Sequence, residues 1–161
     1  MNGIHFQCYG REGYKQVRHC IGDWLHALLR EPVQVEAALN EAVNNAFRQG
    51  DRVDITIRVM NGKRLIMRVK DGGCGFAGNC RVAGLAREFP TEQELWQESG
   101  RGLRIMCAVL DRVTYNRQGN EVLLVKNMAT DRHPRHMPDL PDMASYFAVQ
   151  PVVGRQKGLG E

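Results

Sequence analysis

Residues 4–10, IHFQCYG, alternate between apolar and polar, the period of a short strand. The period then changes. In EGYKQVRHCIGDWLHALL (12–29), Val17, Cys20, Ile21, Trp24, Leu25 and Leu28 recur at helical spacing. After Arg30-Glu31, Pro32 suits the start of a second helix, in which Val35, Ala38, Leu39, Ala42, Val43, Ala46 and Phe47 recur at alternating steps of three and one until Gly50 closes it. DRVDITIRVMNGKRLIMRVKDGG predicts a β-hairpin, with Ile55, Ile57 and Val59 alternating before Asn61-Gly62 and Leu65, Met67 and Val69 alternating after it. A two-residue loop would set Ile55 opposite Arg68 and mix the faces. A three-residue loop, Asn61-Gly62-Lys63, pairs Val59 with Leu65 and Ile55 with Val69, so the three-residue register is expected.

Residues 76–99 carry no clean period, and a long irregular stretch inside a compact domain marks a functional loop or lid. SGRGLRIMCAVLDRV then places Leu103, Met106, Cys107 and Leu110 on a third helix, and VTYNRQGNEVLLVKN makes a last hairpin around Gln118-Gly119-Asn120. The order strand-helix-helix-strand-strand-helix-strand-strand predicts an α+β fold, a two-layer sandwich of a mixed, mainly antiparallel sheet under about three helices. From Ala129 the character changes, since four of the six prolines lie in the last 33 residues. The expected organisation is a domain over 1–128 and a loosely docked or partly disordered extension over 129–161.

Composition removes several functions. The 161 residues suffice for one ordinary domain. A net charge of +4, carried by 17 Arg and 5 Lys against 18 acids with no run of five like charges, gives no patterned support for nucleic acid as a partner. No signal peptide and no apolar run of about 20 residues is present, so a cytoplasmic protein without a membrane partner is expected. Five scattered cysteines without a Cys-x-x-Cys predict reduced, mostly buried thiols rather than disulfides or a zinc site. His133-x-x-His136 lies in the Pro-rich tail without Cys or carboxylate company and is read as solvated.

The chemistry begins with NEAVNNAFRQG (40–50), which sets Glu41, Asn44 and Asn45 into a core helix although a buried polar group left unpaired costs about 1–3 kcal/mol. Counting about 100° per residue from Val35, the apolar arc spans roughly 300° to 120°, with Glu41 near 240° and Asn45 near 280°. Both stand at its edge. As an i, i+4 pair they point the same way, a carboxylate and an amide converging as a pocket wall. In VKDGGCGF, Asp71 ends a strand and leads into Asp71-x-Gly73-x-Gly75; its carboxylate can accept from a ligand amino group, and the glycines permit close backbone approach to a flat ligand. Gly100-Arg101-Gly102 opens the third helix, where free N–H groups and the positive dipole end suit a phosphate. Gly73-Cys74-Gly75-Phe76-Ala77-Gly78 also matches a dinucleotide fingerprint, but its flanks are hairpins rather than a βαβ crossover, and no P-loop is present.

In order, Glu41-x-x-x-Asn45, Asp71-x-Gly73-x-Gly75 and Gly100-Arg101-Gly102 resemble the N, G1 and G2 boxes of the Bergerat-fold (GHKL, histidine-kinase-like) ATPases, which include gyrases, histidine kinases and anti-sigma-factor serine kinases. The likeness is greatest to the last branch, whose SEAVTNAIIHG, VRDEGVGI and GRGLFLIRALMDEVEY parallel NEAVNNAFRQG, VKDGGCGF and GRGLRIMCAVLDRVTY. It covers about residues 4–127. The resemblance implies ATP and Mg²⁺ as cofactors, with Asn45 as the metal ligand and Glu41 as the general base toward a substrate serine hydroxyl. It further implies Asp71 on the adenine amino group, Gly73 and Gly75 along the ring, Gly100 and Gly102 at the phosphates and residues 76–99 as the ATP lid. Arg101 is the residue expected to steady the γ-phosphate. The implied function is a serine/threonine protein kinase that phosphorylates a small STAS-type anti-sigma-factor antagonist and alternately captures a sigma factor, as a homodimer. The competing reading is an ATP-dependent anti-sigma or adaptor protein that sequesters a partner without phosphotransfer. The catalytic half of a histidine kinase is disfavoured, because no paired-helix dimerisation segment precedes the domain. The chain departs from the family at Gln49, where His is usual, at Asn120, where related ATPases often carry Thr, and at Glu98, where some members carry an Arg.

Overall fold

A computed structural model describes residues 3–85 and 100–128. Strand β1 (Gly3–Tyr9) buries Ile4, Phe6 and Cys8 on one face, as its alternation requires. Helix α1 (Gly10–Leu28) follows at once, Gly10 making the corner at φ 66°, and buries Val17, Ile21, Trp24, Leu25 and Leu28. Helix α2 (Pro32–Gln49) opens on its proline and buries Val35, Ala38, Leu39, Ala42, Val43 and Ala46. Its last backbone bond runs from Gly50 N–H to the Ala46 carbonyl at 3.2 Å.

Strands β2 (Arg52–Met60) and β3 (Arg64–Asp71) form the hairpin with Val59 opposite Leu65 and Ile55 opposite Val69, the register expected from face matching. Asn61 and Gly62 both adopt positive φ in its loop. Helices α3 (Gly78–Leu85) and α4 (Arg101–Val109) precede β4 (Arg112–Tyr115) and β5 (Glu121–Asn127). The sheet order is β1-β2-β3-β5-β4. Every pairing among the described strands is antiparallel, so the sheet is not mixed as expected; β2–β3 and β4–β5 are hairpins, while β1 reaches β2 through α1 and α2, and β3 reaches β5 through the segment that holds α3, α4 and β4.

The described residues form four helices rather than about three. The additional one, α3, lies in the stretch expected to be irregular; at eight residues, with Gly84 inside, it is too short to show a period. Its Val82 and Leu85 pack on the core. The rest of the expected lid, 86–99, lies outside the described residues, as do Glu98, His133, His136 and the whole 129–161 extension.

The layer of helices buries one sheet face. Ile55, Ile57, Leu65, Met67 and Leu124 are fully buried beneath Leu25, Leu39 and Met106. α2 runs between α1 and α4 and lies over β2 and β3, so the residues along its polar edge face the start of α4 and the end of β3. All five thiols are free, but only Cys8 is buried, and Cys74 and Cys80 are exposed, so the thiols are not mostly buried as expected. Both exposed thiols sit on short segments around glycines that leave little cover. No helix among the described residues is long and apolar enough to cross a membrane.

Candidate functional site

α2, the end of β3 and the start of α4 meet around two linked hollows. The smaller holds about 10 Å³ at the end of β3, bounded by Asp71, Ala42, Ala46, Val69, Tyr115 and Asn120. The larger holds about 210 Å³ and is lined by Asn45, Arg48, Gln49, Arg81, Gly100 and Gly102. Phe76 borders both, and Asn45 stands between them. One end is therefore mostly apolar with Asp71 as its buried carboxylate and Glu121 also on its lining; the other is cationic and rich in amide groups.

Asp71 is the one buried charged residue of the described chain, at 8% exposure. β3 delivers it there: its N–H donates to the Asn120 carbonyl at 2.9 Å, continuing the β3–β5 pairing past Lys70 and Glu121. One carboxylate oxygen accepts from the Gly73 N–H at 2.7 Å. Burial pushes its pKa above the ordinary carboxylate value, opposed by that backbone bond and by its own N–H. A second oxygen remains to accept from a ligand, and a carboxylate so desolvated is the chemistry an exocyclic amino group fits.

Glycines make the close approaches. A Cβ on Gly73 would lie 2.5 Å from the Gln49 carbonyl, so the loop after β3 can pass the end of α2 only without a side chain. A Cβ on Gly75 (φ +80°) would lie 1.9 Å from the Gln118 carbonyl, and one on Gly119 (φ +80°) 1.7 Å from the Phe76 carbonyl. The loop and the β4–β5 turn are thereby interlocked. Phe76 stacks edge-on to Tyr115, ring centroids 4.8 Å apart, and Asn79 holds Tyr115 by both backbone groups at 2.8 Å each. Burial raises the Tyr115 phenol to about 12, the neighbouring Cys107 thiol adding to the rise and the adjoining Asn45 amide opposing it.

Glu41 and Asn45 are half-buried on the same edge of α2, as the helical angles predict. Glu41 faces the start of α4, where a Cβ on Gly102 would lie 2.5 Å from its carboxylate oxygen. Gly102 thus leaves room for a carboxylate against a helix N-terminus, while Gly100 takes φ 94° at the N-cap. Asn45 accepts from Arg48 at 3.4 Å. Its amide oxygen is a hard donor suited to Mg²⁺ once phosphates and water supply the other ligands, because no three His, Cys, Asp or Glu cluster among the described residues. Gly100 and Gly102 line the larger hollow, whereas Arg101 between them is exposed. The guanidinium groups at the hollow belong to Arg48 and Arg81, which sequence reasoning passed over. Arg48 was legible as the residue one helical turn after Asn45; Arg81 lay in a segment without a period.

A buried carboxylate at one hollow, an amide midway and glycine-opened N–H groups at a cationic end are chemistry that a nucleotide could use, set on a two-layer α+β domain. The chain belongs to the histidine kinase-like ATPase domain family, which matches residues 11–126, and so to the GHKL superfamily of ATP-binding domains. No curated protein matches the chain.

Proposed function

We propose that the protein is a cytoplasmic, ATP-dependent serine/threonine kinase of the anti-sigma type. In this reading it phosphorylates a small STAS-type antagonist and alternately sequesters a sigma factor. One observation carries the catalytic half: the Glu41 carboxylate stands against Gly102 at the start of α4, one helical turn from Asn45 and at the phosphate end of the site. Asp71 accepts from the adenine amino group, Gly73 and Gly75 let the ring approach, and the Gly100 and Gly102 N–H groups meet phosphate oxygens. Asn45 would hold Mg²⁺ through its amide oxygen, and the metal would supply counter-charge to the phosphates. Glu41 takes the proton of the substrate serine hydroxyl as that oxygen bonds to the γ-phosphorus and the bond to the β–γ bridging oxygen breaks, leaving phosphoserine and ADP.

The test is incubation of the purified chain with radiolabelled ATP and a STAS-type antagonist, following label on the antagonist and nucleotide affinity in parallel. The wild type is expected to transfer label. Glu41→Ala is expected to bind ATP and to lose about 10²–10⁴-fold in transfer rate, the worth of a general base. Nucleotide binding with no transfer by the wild type overturns the kinase reading in favour of an adaptor that sequesters its partner.

A further inference from the structure

Tyr115 lines the smaller hollow at 6% exposure, and its packing accounts for everything but its hydroxyl. It is the last residue of β4, opposite Val122 of β5, and Asn79 holds its backbone in both directions. The ring is clamped. Phe76 meets it edge-on, and a Cβ on Gly78 would lie 2.4 Å from its Cγ, so the start of α3 packs directly against it. The alternation of β4 asks only for an apolar residue facing inward, which Val113 supplies two residues earlier. Position 115 instead carries a phenol whose oxygen is buried and, among the described residues, has no hydrogen-bond partner. The Asn45 amide and the Asp71 carboxylate are near enough to act on that oxygen, but neither closes a hydrogen bond with it.

A buried hydroxyl without a partner is a cost to the free protein that a ligand can recover. The hollow it shares with Asp71 is walled mainly by Ala42, Ala46, Val69 and Val122, a lining that takes the edge of an aromatic ring rather than a hydroxylated sugar. Resting on the ATP reading, we propose that the Tyr115 hydroxyl is a second base-recognition group beside Asp71, donating a hydrogen bond to one of the two purine ring nitrogens that flank the adenine amino group. Burial pushes the phenol up to about 12, so it keeps its proton and remains a donor throughout the physiological range. Asp71 accepts while Tyr115 donates. Together they match an amino group beside an unprotonated ring nitrogen, a pattern adenine presents on both sides of C6, where guanine carries a carbonyl. Because ring and backbone are already held, little ordering is needed when the ligand arrives.

The experiment is calorimetric titration of the full chain, in Mg²⁺, with ATP, 1-deaza-ATP and 7-deaza-ATP, for wild type and Tyr115→Phe; each analogue replaces one of the two ring nitrogens by C–H. Tyr115→Phe is expected to bind ATP about five- to tenfold more weakly, the worth of one neutral hydrogen bond. Wild type is expected to lose about the same factor on one of the two analogues, which also tells which nitrogen is read. The variant should bind that analogue as well as it binds ATP, since the contact is already gone. Without nucleotide, Tyr115→Phe is expected to melt at the wild-type temperature or above it, because phenylalanine keeps the ring and drops the unpartnered oxygen. Unchanged ATP affinity in Tyr115→Phe overturns the proposal, and a lower melting temperature beside it makes the hydroxyl a structural group. Equal losses by wild type and variant on both analogues overturn it as well. No ATP binding by wild type removes the ATP reading and this proposal with it, whereas ATP binding indifferent to the hydroxyl removes this proposal alone.

Discussion

Asp71 is a carboxylate held at some cost to the fold. Its folded pKa is raised, so the ionised form is disfavoured in the native state; the stability it contributes is present below the ordinary carboxylate range and is lost as pH rises through the raised value. Asp71→Asn keeps an oxygen for the Gly73 N–H but stays neutral. It should therefore melt at a higher temperature than wild type at pH 7, with the difference closing as pH falls and wild-type Asp71 takes up its proton. The same variant presents an NH₂ where an acceptor is needed, and calorimetry should show nucleotide affinity lower by at least about tenfold, a charge-assisted bond lost. Unchanged affinity would remove Asp71 from the site.

Among the elements, the loop after β3 and the β4–β5 turn are the most tightly interdependent. Gly75→Ala would require a positive φ from alanine and push a methyl group into the Gln118 carbonyl, so chemical denaturation should show a loss of about 2–4 kcal/mol. Little of this was readable beforehand. The glycines of Asp71-x-Gly73-x-Gly75 were expected to face a flat ligand, yet their tightest neighbours are the chain's own carbonyls at Gln49 and Gln118. Strong periods located α1, α2 and both hairpins within one or two residues, and face matching resolved the Asn61-Gly62-Lys63 register, because burial penalises a one-residue slip on every side chain at once. α3 escaped notice because eight residues cannot establish a helical period. Arg48 and Arg81 escaped because an arginine on an exposed surface has no pattern of its own; only the hollow they share distinguishes them.

For the whole molecule, the sheet order leaves β1 at one end with a free row of backbone groups, and a second copy is the cover expected for it. Light scattering at tens of micromolar should give the mass of a dimer of 18.2 kDa chains, and a monomer mass would contradict that pairing. The opposite end is managed differently. Asn79 donates to the Tyr115 carbonyl and accepts from the Tyr115 N–H, both at 2.8 Å, so its side-chain amide occupies the place a neighbouring strand's peptide would take. β4 has only four residues, and this one side chain occupies both backbone groups of its last, Tyr115. Asn79 thereby occupies backbone groups that a second copy would need in order to add a strand beyond β4, which lowers the tendency of that edge to template further sheet growth.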